Sequence, residues 1–256
     1  MGDKKSISQK FAKAYASYEK AAAIQALSAQ MLAAKIADMV KFKERCKILE
    51  LGCGTGLLTA EIDKIRPPGD YVISDLSPSI ITRTAQKFPN RPSLAMDGER
   101  VAFPNDTFDL ITGNLVAQWF GALENALWRL HDLLKSGGSL ALTLLGEDTF
   151  IEWRQILAGR GAAFSFPSLG CIRSWMPDIV QLQSIKMHQN FSDGMAFLKH
   201  LHDLGAHQSQ PGYRPLTVKE MRKALNDLDK RRPISITYDL ILLIVTKNEP
   251  DRKDRD

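Results

Sequence analysis

The sequence predicts an α/β protein built on a mostly parallel sheet. Three observations support this fold class. Short apolar segments alternate with segments of helical periodicity, a glycine-rich turn follows the first apolar segment, and acidic residues follow the next two. Such alternation is typical of a parallel sheet whose two faces are covered by helices.

Seven segments have the short, apolar character of strands. In chain order they cover residues 47–51, 71–74, 93–96, 108–112, 139–145, 185–191 and 234–246. Helical periodicity covers residues 9–40, as one long helix or two short ones, and then 57–65, 79–88, 122–134, 195–204 and 218–228. Gly137 and Gly138 are expected to end the helix that precedes the fifth strand.

The pattern divides the chain into five predicted parts. Residues 1–45 form an N-terminal helical cover, 46–146 a ligand-binding core, 147–183 a lid insertion after strand 5, 184–247 the completion of the sheet, and 248–256 a disordered, charge-rich tail. The lid is predicted because glycines, prolines and aromatic residues interrupt the alternation after the fifth strand.

Composition excludes several classes of protein. With 44% apolar and 25% charged residues, the chain is expected to be globular, and no segment approaches the length of a membrane span. Cys46, Cys53 and Cys171 are odd in number and widely spaced, and the histidines lack metal-ligand spacing, so neither disulfides nor a metal site is expected. The absence of a signal-peptide pattern predicts a cytoplasmic protein.

The glycine-rich turn carries the strongest chemical signal. Gly52, Gly54 and Gly56 alternate where the first strand leads into a helix, so the backbone there can come close to a ligand. A dinucleotide site needs a different glycine spacing, and the carboxylate of Glu50 would repel its phosphates. These residues favour a ligand with a cationic amino group and no phosphates, a description that fits S-adenosylmethionine.

Two acids follow the next strands. Asp75 ends the second strand about 20 residues beyond the glycines, where an acid can accept hydrogen bonds from both ribose hydroxyls. Asp97 lies in the turn after the third strand and is similarly placed to accept a hydrogen bond from an adenine amino group. Aspartate is also common in turns for structural reasons, so ligand binding is the hypothesis to test.

Five short segments of the predicted core resemble a known family. The segments ILELGCGTG, ISDLS, MDGE, FDLITGN and LLKSGG are similar to those of class I S-adenosylmethionine-dependent methyltransferases, although Ser136 stands where that family usually has proline. The resemblance implies a Rossmann-like, seven-stranded sheet with a helical cover and a lid. It also implies a set of cofactor-binding residues: Glu50, Gly52, Gly54, Gly56, Asp75, Leu76, Asp97, Gly98 and Asn114.

A narrower resemblance extends over nearly the whole chain. Phe11, Ala14, Tyr18, Ala22 and Gln25, together with the segments NLVAQW, LHDLGA and ISITYDLILLIVTK, are similar to the malonyl-[acyl-carrier protein] O-methyltransferases of biotin synthesis. The likeness is weak between residues 152 and 180. It implies methylation of the free carboxylate of a malonyl thioester, carried by acyl-carrier protein or coenzyme A, with no nucleic acid and no membrane as partner.

The same resemblance implies two catalytic residues. Tyr18 would lie in the helical cover above the pocket, although Phe11, Tyr15 and Tyr18 also form one helical face that packing alone would explain. Gln118 follows the fourth strand, where the sulfonium should face its acceptor. A carboxylate is already ionised at pH 7, so no general base is required and catalysis is expected from alignment and exclusion of water.

The basic charge of the chain bears on which molecule accepts the methyl group, and several acceptors stay open. The formal net charge is +5, and an acidic carrier protein would be attracted by basic residues late in the chain: Lys199, Lys219, Arg222, Lys223, Lys230, Arg231 and Arg232. Alternative acceptors are another small carboxylate, a quinone precursor or RNA. A non-catalytic assembly factor is the remaining alternative, although the intact glycine turn, Glu50 and Asp75 favour a working cofactor pocket.

Overall fold

A computed structural model describes residues 22–42, 45–65, 69–158, 166–204 and 215–248, together with residues 4, 8, 9 and 12. Tyr18, much of the predicted helical cover, residues 159–165 of the predicted lid and the predicted tail beyond Asn248 lie outside the described residues. The predicted roles of these parts therefore stay predictions.

Seven strands form one sheet in the order β3-β2-β1-β4-β5-β7-β6. They are β1 (Lys47–Glu50), β2 (Asp70–Asp75), β3 (Ser93–Ala95), β4 (Phe108–Asn114), β5 (Leu134–Leu145), β6 (Ile179–Phe191) and β7 (Ile234–Thr246). The pairs β1–β2, β1–β4, β2–β3 and β4–β5 are parallel. The predicted seven-stranded α/β fold is confirmed, and the strand order reverses between β1 and β4, where open sheets bind ligands.

Eight α-helices lie between residues 22 and 248 of the described part of the chain. They are α1 (Ala23–Met39), α2 (Leu57–Ile65), α3 (Pro78–Lys87), α4 (Leu123–Asp132), α5 (Ile151–Leu157), α6 (Leu169–Trp175), α7 (Gly194–Asp203) and α8 (Val218–Asp229), with a short 3-10 helix at Ala117–Trp119. None of these helices combines the length and the apolar character that crossing a membrane requires.

The prediction that Gly137 and Gly138 end a helix is wrong. Helix α4 ends at Asp132, and both glycines lie inside β5, where the register against β4 shifts between Phe108 and Leu110. Gly137 has a φ of +75°, and a Cβ on Gly138 would lie 2.9 Å from the carbonyl oxygen of Phe108. The two glycines therefore form a bulge at the start of β5 rather than a helix end.

The segment 147–183 is more regular than predicted. It contains α5, α6 and the first residues of β6, which begins at Ile179. Pro167 precedes α6 and Pro177 follows it, so these two prolines bound a helix instead of marking an irregular loop. The role of this segment as a lid stays a prediction.

The chain divides into two compact units. The first contains residues 24–144, 169–183 and 241–256, and the second contains residues 1–23, 145–168 and 184–240. In the first unit, successive strand residues alternate between two apolar clusters: Leu49, Ile111 and Leu243 belong to one, whereas Ile48 and Leu110 belong to the other. Both faces of the parallel sheet are thus buried, which accounts for its continuously apolar strands.

The second unit buries a carboxylate among aromatic and polar side chains. Asp239 of β7 is only 2% exposed. Ser184 Oγ donates to its Oδ1 at 2.6 Å, and Lys186 Nζ lies 2.8 Å from its Oδ2 and 2.7 Å from Asp148 Oδ2. A buried charge is tolerated only with such partners, so this network fixes the chain after β5 to β6 and β7.

Lys186→Met is expected to lower the free energy of unfolding by about 1–3 kcal/mol, because the buried carboxylate of Asp239 loses its cation. Urea-induced unfolding measures the change. Lys199→Met is the matched control, since Lys199 is exposed and pairs with Asp203 across one turn of α7. Its loss should cost no more than about 0.5 kcal/mol, and equal effects of the two variants would contradict the assignment.

Candidate active site

The peptide group of Gly54 is anchored on both sides. Its N–H donates to Asp75 Oδ2 at 3.0 Å, and its carbonyl accepts from Thr84 Oγ1 of α3 at 2.5 Å. The N–H of Cys53 donates to the carbonyl of Ser74 at 2.8 Å. The turn after β1 is therefore tied to the end of β2 and to the helix that follows it, and the glycine turn and Asp75 form one hydrogen-bonded unit.

The three glycines of the turn are required for different reasons. Gly54 has a φ of +53°, and a Cβ there would meet nothing closer than the carbonyl oxygen of Gly52 at 4.0 Å. A Cβ on Gly52 would collide with the side chain of Val116, and one on Gly56 would collide with the ring of Phe88. Only Gly54 leaves open space, so close approach of a ligand is the structural expectation there. Gly52 and Gly56 make room for the protein's own side chains.

Asp75 lies at the carboxyl end of β2 and is 8% exposed. Its Oδ1 accepts from the N–H of Ser77 at 2.8 Å. Burial raises the pKa of the Asp75 carboxyl, and the backbone hydrogen bonds from Ser77 and Gly54 oppose that shift. Each carboxylate oxygen accepts one of these bonds and has further lone-pair capacity, so the group can also accept from ligand hydroxyls. Leu76 beside it is half-buried.

Glu50 lies deeper than a direct contact with an amino group suggests. The residue is 1% exposed, and its Oε2 accepts from Thr59 Oγ1 at 2.8 Å and from the hydroxyl of Tyr71. Burial raises the pKa of the Glu50 carboxyl to about 7, although both hydroxyl donors oppose the shift. Glu50 thus links β1 to β2 and α2, and its predicted contact with a cofactor stays a prediction.

Asp97 stabilises its own turn. Its Oδ1 accepts from the N–H of Glu99 at 3.1 Å, and its carbonyl accepts from the N–H of Arg100 at 2.9 Å. A Cβ on Gly98 would lie 3.0 Å from the ring of Phe120, so glycine lets the turn approach that ring. The turn has a structural reason for both residues, and their contact with adenine stays a prediction.

Asn114 connects α1 to the sheet. Its Oδ1 accepts from Thr143 Oγ1 at 2.6 Å and from Ser28 Oγ, and its Nδ2 donates to the carbonyl of Gln25 at 2.9 Å. Both lone pairs of the amide oxygen are therefore used inside the protein. Asn114 therefore holds α1 over the end of β4, and its predicted contact with a cofactor stays a prediction.

Two buried amide oxygens near Asn114 have no partner. Gln118 Nε2 donates to the carbonyl of Leu115 at 2.6 Å, which leaves its Oε1 as the remaining acceptor. This atom and Oε1 of Gln25 are buried and make no hydrogen bond within the described part of the chain. A buried acceptor without a partner costs about 1–3 kcal/mol. Both oxygens accept but cannot donate, so they suit an ammonium or hydroxyl group rather than a carboxylate.

Sequence reasoning missed the hydroxyl side chains that hold the predicted site residues in place. Thr84, Thr59, Tyr71, Ser28 and Thr143 each bond a predicted site residue or the turn itself. A hydroxyl residue inside a helix or strand carries no local signal of this role, because its partner is distant in sequence. Among the described residues, no three His, Cys, Asp or Glu side chains come together as metal ligands.

Comparison with known proteins identifies the family. Residues 49–142 match the model of a methyltransferase domain, and residues 3–90 match that of a protein-L-isoaspartate(D-aspartate) O-methyltransferase. The chain is 32% identical over 252 residues to the malonyl-[acyl-carrier protein] O-methyltransferase of Magnetococcus marinus, and the match covers 92% of this chain and 90% of that protein. The chain belongs to the malonyl-[acyl-carrier protein] O-methyltransferase family.

Two further comparisons concern a longer relative and the fold. The biotin biosynthesis bifunctional protein BioCD of Bordetella avium is 36% identical over 240 residues, covering 91% of this chain, which spans 50% of that longer protein. The YcgJ protein of Bacillus subtilis has a similar fold, with a TM-score of 0.61 and 17% identity over 86% of this chain and 99% of that one. The predicted class I methyltransferase fold and the S-adenosylmethionine cofactor of this O-methyltransferase are confirmed.

Glu50→Gln is expected to remove part of the pH dependence of stability. The pKa of about 7 in the folded protein lies above the ordinary value of 4.5. The contribution of Glu50 is therefore fully present below pH 4.5 and is lost as the pH rises through about 7. From pH 5 to pH 8, the free energy of unfolding of the unaltered protein should fall by about 2–3 kcal/mol relative to that of the variant.

Urea-induced unfolding at several pH values measures this difference. Glu124→Gln, an exposed position in the first turn of α4, is the matched control and should leave the pH profile unchanged. Parallel profiles for Glu50→Gln and the unaltered protein would contradict the assignment.

Proposed function

We propose that this protein transfers the methyl group of S-adenosylmethionine to the free carboxylate of malonyl-[acyl-carrier protein] in biotin synthesis. Similarity along nearly the whole length of the Magnetococcus marinus enzyme supports this acceptor. Malonyl-coenzyme A, which presents the same malonyl thioester, is an acceptor of the same kind. The observation that carries the donor site is the hydrogen bond between the Gly54 N–H and Asp75, which joins an open backbone turn to a carboxylate at the edge of the sheet.

The described residues fit S-adenosylmethionine chemically. Asp75 would accept hydrogen bonds from the ribose hydroxyls beside the open backbone of Gly54, and Leu76 would pack against the same ligand. Asp97 and Gly98 would contact the adenine. The unpaired amide oxygens of Gln118 and Gln25 would accept from the cationic amino group, which supplies the donors that both oxygens lack.

Catalysis would depend on alignment rather than on proton transfer. Bound S-adenosylmethionine supplies an electrophilic methyl group, which an ionised carboxylate oxygen can accept without a general base. The loop after β4 would fix the position of the glycine turn, because Val116 packs directly against Gly52 and Gly113. A Cβ on either glycine would collide with the Val116 side chain. Gln118 lies on this loop, and the phenol of Tyr18, which lies outside the described residues, would complete the pocket wall and exclude water.

A different carboxylic acid is the second candidate acceptor. The match of residues 3–90 to the model of a protein-L-isoaspartate(D-aspartate) O-methyltransferase favours it, since that name also denotes O-methylation of an acidic residue. No feature of the described residues favours RNA, a quinone precursor or a non-catalytic assembly role.

We also propose that the protein acts in the cytoplasm. Cys46, Cys53 and Cys171 form no disulfide in the described part of the chain, and the first two are buried in the first unit. Free thiols persist in a reducing compartment, whereas exported proteins commonly pair theirs. Burial raises the pKa of the Cys53 thiol, so this residue stays protonated and serves packing rather than nucleophilic chemistry.

Incubation with malonyl-carrier protein and methyl-labelled S-adenosylmethionine is expected to place a base-labile methyl ester on the carrier. Acetyl-carrier protein is the matched control and should remain unlabelled, because it has the thioester but no free carboxylate. Label on an isoaspartyl peptide with none on the malonyl carrier would replace the first acceptor with the second. Equal labelling of the acetyl and malonyl carriers would contradict carboxylate methylation altogether.

Asp75→Ala is expected to weaken binding of S-adenosylmethionine by about 1–3 kcal/mol, or roughly 5- to 150-fold, if Asp75 holds the ribose. Isothermal titration calorimetry measures the affinity. Thr84→Val is the matched control, because it removes the other anchor of the Gly54 peptide without removing a ligand contact. A smaller loss is expected for this control. Equal losses would mean that Asp75 acts only by shaping the turn, and an unchanged affinity would remove its role.

A further inference from the structure

We propose that one exposed face of α8 is the docking surface for the carrier protein, an inference that rests on the function proposed above. This basic face consists of Lys219, Arg222 and Lys223. They are spaced at i, i+3 and i+4 of one helix, so their side chains project from the same side. All three residues are exposed.

Three of the four other basic residues named late in the chain have partners among the described residues. Lys199 pairs with Asp203 at 2.6 Å, and Lys230 pairs with Asp227 at 2.8 Å. Arg231 donates to the side-chain oxygen of Gln155 at 3.4 Å. By contrast, no residue of the basic face forms an ion pair with any described residue.

The acids of α8 balance the basic face only in part. Lys230 and, less strongly, Lys223 lower the pKa of the Asp227 carboxyl, but the ion pair of Asp227 is with Lys230. Glu220 closes a capping box with Thr217 at the start of the helix. Asp229 accepts from the N–H of Gly194 at 2.7 Å. The opposite side of α8 buries Ala224 and Leu228 in the second unit. The helix therefore uses its apolar and acidic residues for folding and leaves three cations in solvent.

Apolar surface adjoins the basic face. Val218 precedes it and is 69% exposed. A cleft of about 90 Å³ between α5 and α8 is lined by apolar and charged side chains: Ile156, Leu157, Leu216, Ala224, Glu220, Lys223 and Asp227. A depression of mixed apolar and charged character beside the basic face is the composition of an interface in which electrostatic attraction steers the partner and apolar burial holds it.

An acidic protein fits this surface better than a nucleic acid does. Helix α8 carries no aromatic side chain on which bases could stack, and stacking supplies much of the affinity for single strands. A malonyl group presented on an acidic carrier protein would gain encounter rate from the three cations, whereas a small thioester without phosphates would gain little.

The charge-reversal variant Lys219→Glu/Arg222→Glu/Lys223→Glu tests the surface with two substrates. Its kcat/KM for malonyl-carrier protein is expected to fall at least about tenfold, mainly through KM, because the face would then repel the carrier. Its kcat/KM for malonyl-pantetheine should stay within about twofold of the unaltered enzyme, since this thioester lacks the carrier. The same charge change at three exposed basic residues of the first unit, Lys41→Glu/Arg45→Glu/Lys47→Glu, is the matched control and should affect neither substrate.

Salt dependence and binding provide independent readouts. For the unaltered enzyme, kcat/KM with the carrier should fall as ionic strength rises, and the charge-reversal variant should lose most of this slope. Fluorescence anisotropy with labelled carrier protein that bears no malonyl group measures docking without chemistry. The single variants Lys219→Ala, Arg222→Ala and Lys223→Ala, which preserve helix propensity, keep the test valid if the triple variant fails to fold.

The outcomes distinguish this inference from the proposed function. Unchanged carrier kinetics and binding in the variants would overturn the docking surface and leave the function standing. Equal losses with the carrier and with pantetheine in the alanine variants would also overturn it, because the residues would then act on the reaction itself. Methylation of neither thioester by the unaltered enzyme would refute the function, and carrier binding would still decide the surface. Preferential binding of single-stranded RNA would assign the face to a different partner.

Discussion

The hydrogen bond from the Gly54 N–H to Asp75 is the constraint on which the site depends. It joins the turn after β1 to the end of β2, and Thr84 donates to the carbonyl of the same glycine. A buried carboxylate needs such donors, so the bond stabilises Asp75 while it fixes the backbone that a ligand would approach. Folding of the sheet therefore forms the proposed donor site before any ligand arrives, which would lower the ordering cost of binding.

The loop after β4 connects the end of that strand to the same glycine turn. Val116 packs against Gly52 of the turn and against Gly113, so neither glycine tolerates a side chain. Asn114 is the last residue of β4, and its side-chain amide holds α1 through hydrogen bonds with Ser28 and Gln25. Three strand ends and one helix thus share a single set of contacts, and the unpaired oxygens of Gln25 and Gln118 are the groups that this set leaves for a ligand.

The bounds of single elements were predicted well from the sequence, whereas contacts between distant residues were missed. The β-branched run of β7 and the helical spacing of α2 gave the observed bounds, because periodicity records burial within one element. The burial of Glu50 and the internal hydrogen bonds of Asn114 depend on partners that are distant in sequence. Gln25, for example, lies 89 positions from Asn114, and no local sequence pattern indicates such a contact. The prediction that Gly137 ends a helix was wrong for a related reason, because glycine is favoured both in a bulge and at a helix end.

The charges of the second unit fall into two groups with different physical reasons. Asp239 is buried, and the exposed Lys186 supplies the cation that its carboxylate needs. Lys219, Arg222 and Lys223 contribute nothing comparable, because solvated charges without partners add little to stability. Their repulsion on one helical face is even slightly unfavourable for the isolated helix. Folding therefore does not account for their clustering, whereas an anionic partner that binds after folding does.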